Sequence, residues 1–251
     1  QDTPHVWLTI KDAGGNVVRR IEGPVGQGFH RIAWDLTYPS AEAIRLDGSP
    51  GSGTSGFMAA PGTYTASLSK QVDGVVTELS KPITFTVEPL RNGVLPGAKP
   101  AVVADFWRTY EKAVRTSSAL NLRLEGAMKK VGAMEKALAR AKSSPGNLDK
   151  ELHDVKQELL ELNKQLNGDG PKQEVGQKSR PVISQRLFAV SRAVYRSTYG
   201  PTETAKRGIE IIEAEMKDID TKLNATTAKM NTLSKSLRDA GAPWVEGDSQ
   251  N

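Results

Sequence analysis

The sequence predicts a segregated α+β chain: an antiparallel β-sandwich followed by a long antiparallel helical bundle of three layers. Three observations predict it. Up to about residue 95, apolar and polar residues alternate in short runs broken by Gly, Pro and Asp, the pattern of half-buried strands. Beyond it lie long runs of Ala, Leu, Glu, Lys and Arg whose apolar positions recur in alternating steps of four and three, a heptad seam. Between the two stands Arg91-Asn92-Gly93-Val94-Leu95-Pro96-Gly97-Ala98-Lys99-Pro100, which is turn and linker chemistry. The expected division is a sandwich over 1–90, a linker over 91–101, a bundle over 102–244 and a flexible tail over 245–251.

In the first part, Val6, Leu8 and Ile10 alternate with Trp7 and Thr9, placing one set on each face of a strand. Asp12-Ala13-Gly14-Gly15-Asn16 is a turn cluster, and Val17 to Ile21 returns, so a hairpin is expected. Phe29 to Leu36 reads as a strand with His30, Ile32, Trp34 and Leu36 on one face. Tyr64, Ala66 and Leu68 repeat the alternation, followed by Val75 to Leu79 and by Ile83, Phe85 and Val87. The core is expected on Trp34, Tyr64, Leu68 and Phe85. Asp47 to Gly56 (DGSPGSGTSG) reads as a flexible loop.

The second part predicts helices over 102–142, 147–167, 181–199 and 202–240. The first seam runs Phe106, Tyr110, Ala113, Ser117, Leu120, Leu124, Ala127, Val131, Met134 and Leu138. Ser143-Ser144-Pro145-Gly146 stops it, and the second seam is Leu148, Leu152, Val155, Leu159, Leu162 and Leu166. Asn167 to Arg180 is polar and reads as a loop. Ile183, Leu187, Val190 and Val194 form the third seam. Pro201 suits the entry to the last helix, seamed by Ile209, Ile212, Met216, Ile219, Leu223, Thr226, Met230, Leu233 and Leu237, with Gly241 and Pro243 at its stop. Two long helices with two half-length ones between them predict three antiparallel layers with a broken middle one. The alternative is a four-helix bundle.

Composition removes several chemistries. The chain has no cysteine, hence no disulfide, thiol nucleophile or thiolate metal site. No apolar run approaches the ~18 residues of a membrane span. The formal charge is +5, but the basic residues mostly alternate with acids, as in Asp149-Lys150-Glu151, so no nucleic-acid partner is expected. His5, His30 and His153 lack metal-ligand spacing, and no cofactor is expected. The stretch from Gly48 to Gly56 lacks the Gly-Lys-Ser/Thr ending of a phosphate loop. Acid pairs such as Asp218 with Asp220 lie on polar helix faces, where nothing shifts a carboxyl toward catalytic use. Asn224-Ala225-Thr226 matches a glycosylation sequon, with Thr226 on the seam. The chain is not expected to be an enzyme.

Two patches carry a family likeness. Leu8-Thr9-Ile10-Lys11-Asp12, Gly15-Asn16-Val17-Val18-Arg19, Gly28 and Trp34-Asp35-Leu36, followed by Pro61-Gly62-Thr63-Tyr64-Thr65, resemble the immunoglobulin-like module of flagellar hook-capping proteins. The wider layout is similar to the C-terminal region of bacterial proteins with a sortilin-like, BNR-repeat β-propeller. It rests on Gly28, Arg31, Trp34, Asp35, Leu36, Tyr38 and Pro39, then Pro61 to Thr65, then Ala240 to Trp244. The blade motifs of the propeller do not occur in these residues, so the hydrolase label some relatives carry does not transfer.

The resemblance implies an exported protein (periplasm, outer surface or extracellular) and a non-catalytic structural and protein-interaction module. The sandwich would pack on a propeller, in the same protein or another, and the bundle would act as spacer or docking arm. The chain, beginning at Gln1, is read as a piece of something longer. The alternative is a carbohydrate-binding accessory domain taking a polysaccharide. The candidate binding residues are Trp7, Tyr38 and Trp244.

Overall fold

The protein, represented here by a computed structural model, is described over residues 2–48, 55–90, 97–143, 146–177, 180–195 and 199–248. Most of the loop expected over 47–56 and residues 91–96 of the expected linker lie outside these. The chain divides into two compact units, Gln1–Glu111 with Ser197–Pro201, and Lys112–Arg196 with Thr202–Asn251.

The first unit is built on antiparallel sheets. Strand β1 (His5–Asp12) pairs on one side with β2 (Val17–Gly23) and on the other with β5 (Gly62–Val72). The far side of β5 carries β7 (Ile83–Val87) along its first half and β6 (Val75–Glu78) along its second. Asp12 closes the first hairpin, its carboxylate accepting from the Gly14 and Asn16 amides at 2.9 Å each. Asp73 and Gly74, at φ of 46° and 78°, make the two-residue turn between β5 and β6, a conformation Asp-Gly favours. A smaller sheet joins β3 (Thr37–Pro39) to β4 (Ser55–Met58). These two strands run so close at Gly56 that a Cβ there would stand 2.5 Å from the Pro39 carbonyl oxygen.

Register sorts the side chains. Leu8 lies opposite Leu68, Ile10 opposite Ala66, and Tyr64 opposite Phe85, so these share one face of the larger sheet. Ile10, Val18, Ala59 and Tyr64 are buried there, with Leu8, Trp34, Tyr38, Phe85 and Val87 packed around them. The Tyr64 hydroxyl donates to the Ala60 carbonyl at 2.5 Å. Leu68, expected in the core, is half-buried and stands outside this cluster.

The segment 29–36 departs from expectation: it forms no strand, and β3 begins only at Thr37. Local polar bonds hold it instead. His30 Nε2 bonds the Gly26 carbonyl at 2.7 Å, and the Asp35 carboxylate accepts from the Thr37 amide at 3.0 Å and hydroxyl at 2.6 Å. The turn drives Leu36 to a φ of 60°, outside strand geometry. Trp34 still reaches the core, its indole donating to the Thr37 carbonyl at 2.9 Å.

Helix α1 (Pro100–Leu138) begins two residues earlier than expected. The division between units falls at Glu111, inside this helix, rather than in the linker. Its first turns belong with the sheets because Trp107 stacks on Phe57 at 6.0 Å, and Phe57 on Tyr38 at 4.3 Å.

The second unit is helical: the rest of α1, α2 (Leu148–Asn167), a short α3 (Gly170–Glu174) inside the expected loop, α4 (Ile183–Tyr195) and α5 (Glu203–Asp239). Every seam residue of α2, α4 and α5 is buried. Burying a leucine or isoleucine contributes about 1.5–3 kcal/mol, so these stripes dominate the stability of the unit.

Contacts along α5 fall in sequence. Val190 of α4 packs at Gly208, Arg186 faces Glu215, and then Glu158 of α2 bonds Thr226 at 2.9 Å and Lys229 at 2.5 Å. A Cβ on Gly208 would stand 2.9 Å from Val190 Cγ2, which explains a glycine in a helix interior. On α1, Arg123 bonds Asp220 and Asn224 of α5. Asn121 meets Asn167, and Glu135 meets Lys156 of α2.

The expected flexible tail also departs from expectation at its start. Ala242 and Val245 are buried, and the Asp248 side chain, 3% exposed, pairs with Lys130 at 2.9 Å and Arg238 at 3.6 Å. An acid placed between two cations from α1 and α5 holds the segment down.

Candidate functional site

The three candidate binding residues are divided between the two units, Trp7 and Tyr38 in the first and Trp244 in the second. Trp7 stands on the face of β1 turned away from the core, where the strand's alternation puts it with His5 and Thr9. Its ring is covered: the Arg20 guanidinium lies 4.5 Å from its centroid, His5 stacks at 5.7 Å, and the indole donates to Gln71 at 3.0 Å. Tyr38 packs against the core cluster on the other side of the larger sheet, stacked on Phe57. Trp244 belongs to the second unit and lies 5.1 Å from the Arg238 guanidinium. Trp7 and Tyr38 therefore form no shared open platform for sugar rings. Sequence reasoning missed Phe57, which stacks on Tyr38, and Trp107, which stacks on Phe57. Phe57 stands as a lone aromatic among Gly56, Met58 and Ala59, whereas Trp107 sits between Phe106 and Tyr110 at the start of a helical pattern.

The displaced titratable groups have structural explanations. Burial raises the Tyr64 phenol, aided by Tyr38 and Asp12 and opposed by Arg108. The hydrogen bond from Lys229, opposed by burial and aided by Thr226, holds Glu158 below the usual carboxylate range. Burial by itself raises Asp248, but the hydrogen bond from Lys130, aided by Ser234 and by the charge of Arg238, outweighs it and leaves the carboxyl depressed. Each is a paired or packed group whose partners account for its displacement. Among the described residues, no three His, Asp or Glu side chains converge as a metal site would require. Among the described residues, no helix is long and apolar enough to cross a membrane.

A groove of about 430 Å³ opens between α2, α3, α5 and the residues Arg180 to Val182 that lead into α4. Its charges face each other: Lys164 and Lys172 approach Asp169, each at 3.8 Å, and Arg180 approaches Glu215 at 3.4 Å. Opposite charges this near offset much of the charge on the walls. The sequon is likewise occupied. Thr226 is buried and bonded to Glu158, and the Asn224 amide oxygen accepts from Arg123.

What the first unit does present is apolar. Phe29 is 93% exposed, Leu46 110% and Leu90 97%, with Ile44 and Ile83 also well exposed, against a core of only a few buried side chains. Isolated exposed apolar residues are ordinary, but among the described residues this unit leaves more large apolar side chains outside than it buries. Phe29 lay hidden in the sequence because 29–36 reads as a strand, which would have given it a sheet face to pack on.

Comparison of the chain with protein-family models, with curated proteins and with solved structures found no match.

Proposed function

We propose that the chain is a non-catalytic structural and protein-interaction module of an exported protein. In this reading its first unit packs on a β-propeller and its helical unit serves as spacer or docking arm. The observation that carries this is the apolar exposure of the first unit, above all Phe29, Leu46 and Leu90. Side chains of that size left in water cost about 1.5–3 kcal/mol each relative to burial, a gain available to a partner surface.

The first unit is proposed to be an immunoglobulin-like sandwich in which β3–β4 is the second layer. The bond from the Tyr64 hydroxyl to the Ala60 carbonyl, at the corner where Pro61-Gly62 enters β5, supports this, since such tyrosine corners recur in that architecture. The second unit is proposed to be three layers, with α4 and α2 following each other along α5 and α1 covering them. The ordered contacts at Gly208, Glu215 and Thr226 support that arrangement. The covered ring of Trp7 gives the polysaccharide reading no support.

The test adds a sortilin-like BNR-repeat propeller in trans and follows hydrogen exchange. Protection should appear over residues 25–46 and at Leu90, and Phe29→Ser with Leu46→Ser should abolish it without changing the unfolding curve of the free chain. Absence of binding, or protection mapping elsewhere, would overturn the proposal.

A further inference from the structure

We propose that the outward face of α4 is the docking site for an acidic amphipathic segment of a partner protein. The inference rests on reading the helical unit as a docking arm. Two observations meet there. The first is charge: between Glu174 and Glu203 there is no acidic residue, while Lys178, Arg180, Arg186, Arg192 and Arg196 fall in that interval. These five equal the whole formal net charge of +5, so the rest of the chain is balanced and the excess is concentrated in one segment. The second is surface. Ile183, Leu187, Val190 and Val194 are buried against the bundle, so the opposite stripe of α4 faces out. It carries Gln185, Phe188, Ala189, Arg192, Ala193 and Tyr195, with Phe188 61% and Tyr195 74% exposed.

The composition selects the partner class. Phe188, Arg192 and Tyr195 recur at four and three residues, so they lie on one side of the helix. The Arg192 guanidinium lies 5.3 Å from the Phe188 ring centroid, and among the described residues no carboxylate pairs with it. Aromatics around an arginine are the side chains that carry binding energy at protein interfaces. A nucleic acid fits less well. Arg180 and Arg186 are committed to Glu215, and the ring face a base would stack on is taken by Arg192. A segment with apolar anchors at helical spacing would cover Phe188, Ala189 and Tyr195, and its carboxylates would meet Arg192.

The probe is a synthetic peptide of about five helical turns, with leucines on one face and glutamates on the rest. The controls are its glutamine counterpart, oligothymidylate and phosphatidylglycerol vesicles. Amide resonances of residues 185–195 should move on adding the acidic peptide. Affinity should fall about tenfold or more with the glutamine counterpart and with Arg192→Glu or Phe188→Ser. Both side chains are exposed, so the unfolding curves of the variants should match the parent, and Ala189→Glu supplies a third surface change expected to weaken binding. No binding, binding indifferent to all three variants, or tighter binding of oligothymidylate or vesicles at this face would overturn the inference. Propeller binding through Phe29 and Leu46 is scored separately. Its loss with peptide binding intact would sink the proposed function alone, and the reverse result would sink only this inference.

Discussion

Replacing Asp248 by Asn removes one charge from a three-residue cluster while keeping its shape. The carboxylate is 3% exposed, whereas the Lys130 and Arg238 side chains keep 23% and 20% of their surface. Breaking a fully buried pair costs about 3–5 kcal/mol and a surface pair about 0.2–1, so a cluster between these limits should lose about 2 kcal/mol. For a chain of this size that corresponds to roughly 4–8 °C in Tm. The pH dependence follows from the depressed carboxyl. A group whose folded pKa lies below its unfolded value stabilises above the unfolded value, about 3.9 for Asp, and loses that contribution as pH falls through the folded one. Urea titrations should therefore show a gap between parent and Asp248→Asn at neutral pH that narrows on acidification below about pH 4. Hydrogen exchange over 242–248 should quicken in the variant. A neutral-pH difference under about 0.5 kcal/mol, with the tail already exchanging freely in the parent, would refute the reasoning.

Gly208→Ala should destabilise by about 1 kcal/mol despite a gain in helix propensity of similar size, because its Cβ meets the stiff Val190 side chain, and Val190→Ala in the same chain should reverse the sign. Leu159→Asp puts an unpaired charge at a fully buried position, and circular dichroism should show the helical unit unfolded at 25 °C. Trp34→Ala removes an edge contact to Tyr64 at 5.4 Å and to Phe85 at 6.2 Å. Being half-buried, it should cost about 3 kcal/mol, the low end for such a truncation, read as a lowered melting of the first unit.

The helical seams were legible because each is a single-period pattern over many residues. Leu152, Leu159 and Leu166 or Ile212, Ile219 and Leu223 leave no second face to choose. The hairpins were legible where turn residues stand between alternations, as at Asp12 to Asn16. The strand expected over 29–36 was not, since alternation in Phe29 to Leu36 is equally compatible with a non-strand segment held by its own polar bonds. A heptad pattern marks an interior and says nothing about short polar segments beside it, so α3 and the packing of Val245 were invisible. Of the candidate binding residues, sequence found the rings of Trp7 and Tyr38 but not the Arg20 and Phe57 that cover them, which come from other strands. The acid-free interval around α4 was in plain view. It was masked by averaging charge over the whole chain.

The position of α5 has a consequence for synthesis. This helix is the surface on which both α4 and α2 lie, yet it leaves the ribosome after both of them. From Tyr195 to Asp239, translation at 5–20 residues per second takes roughly 2–9 s. During that interval the buried stripes of α2 and α4 have no α5 to close on. The nascent chain must wait with leucines open to chaperones, and a release that ends it early would leave the helical unit without the strand of sequence that gathers it.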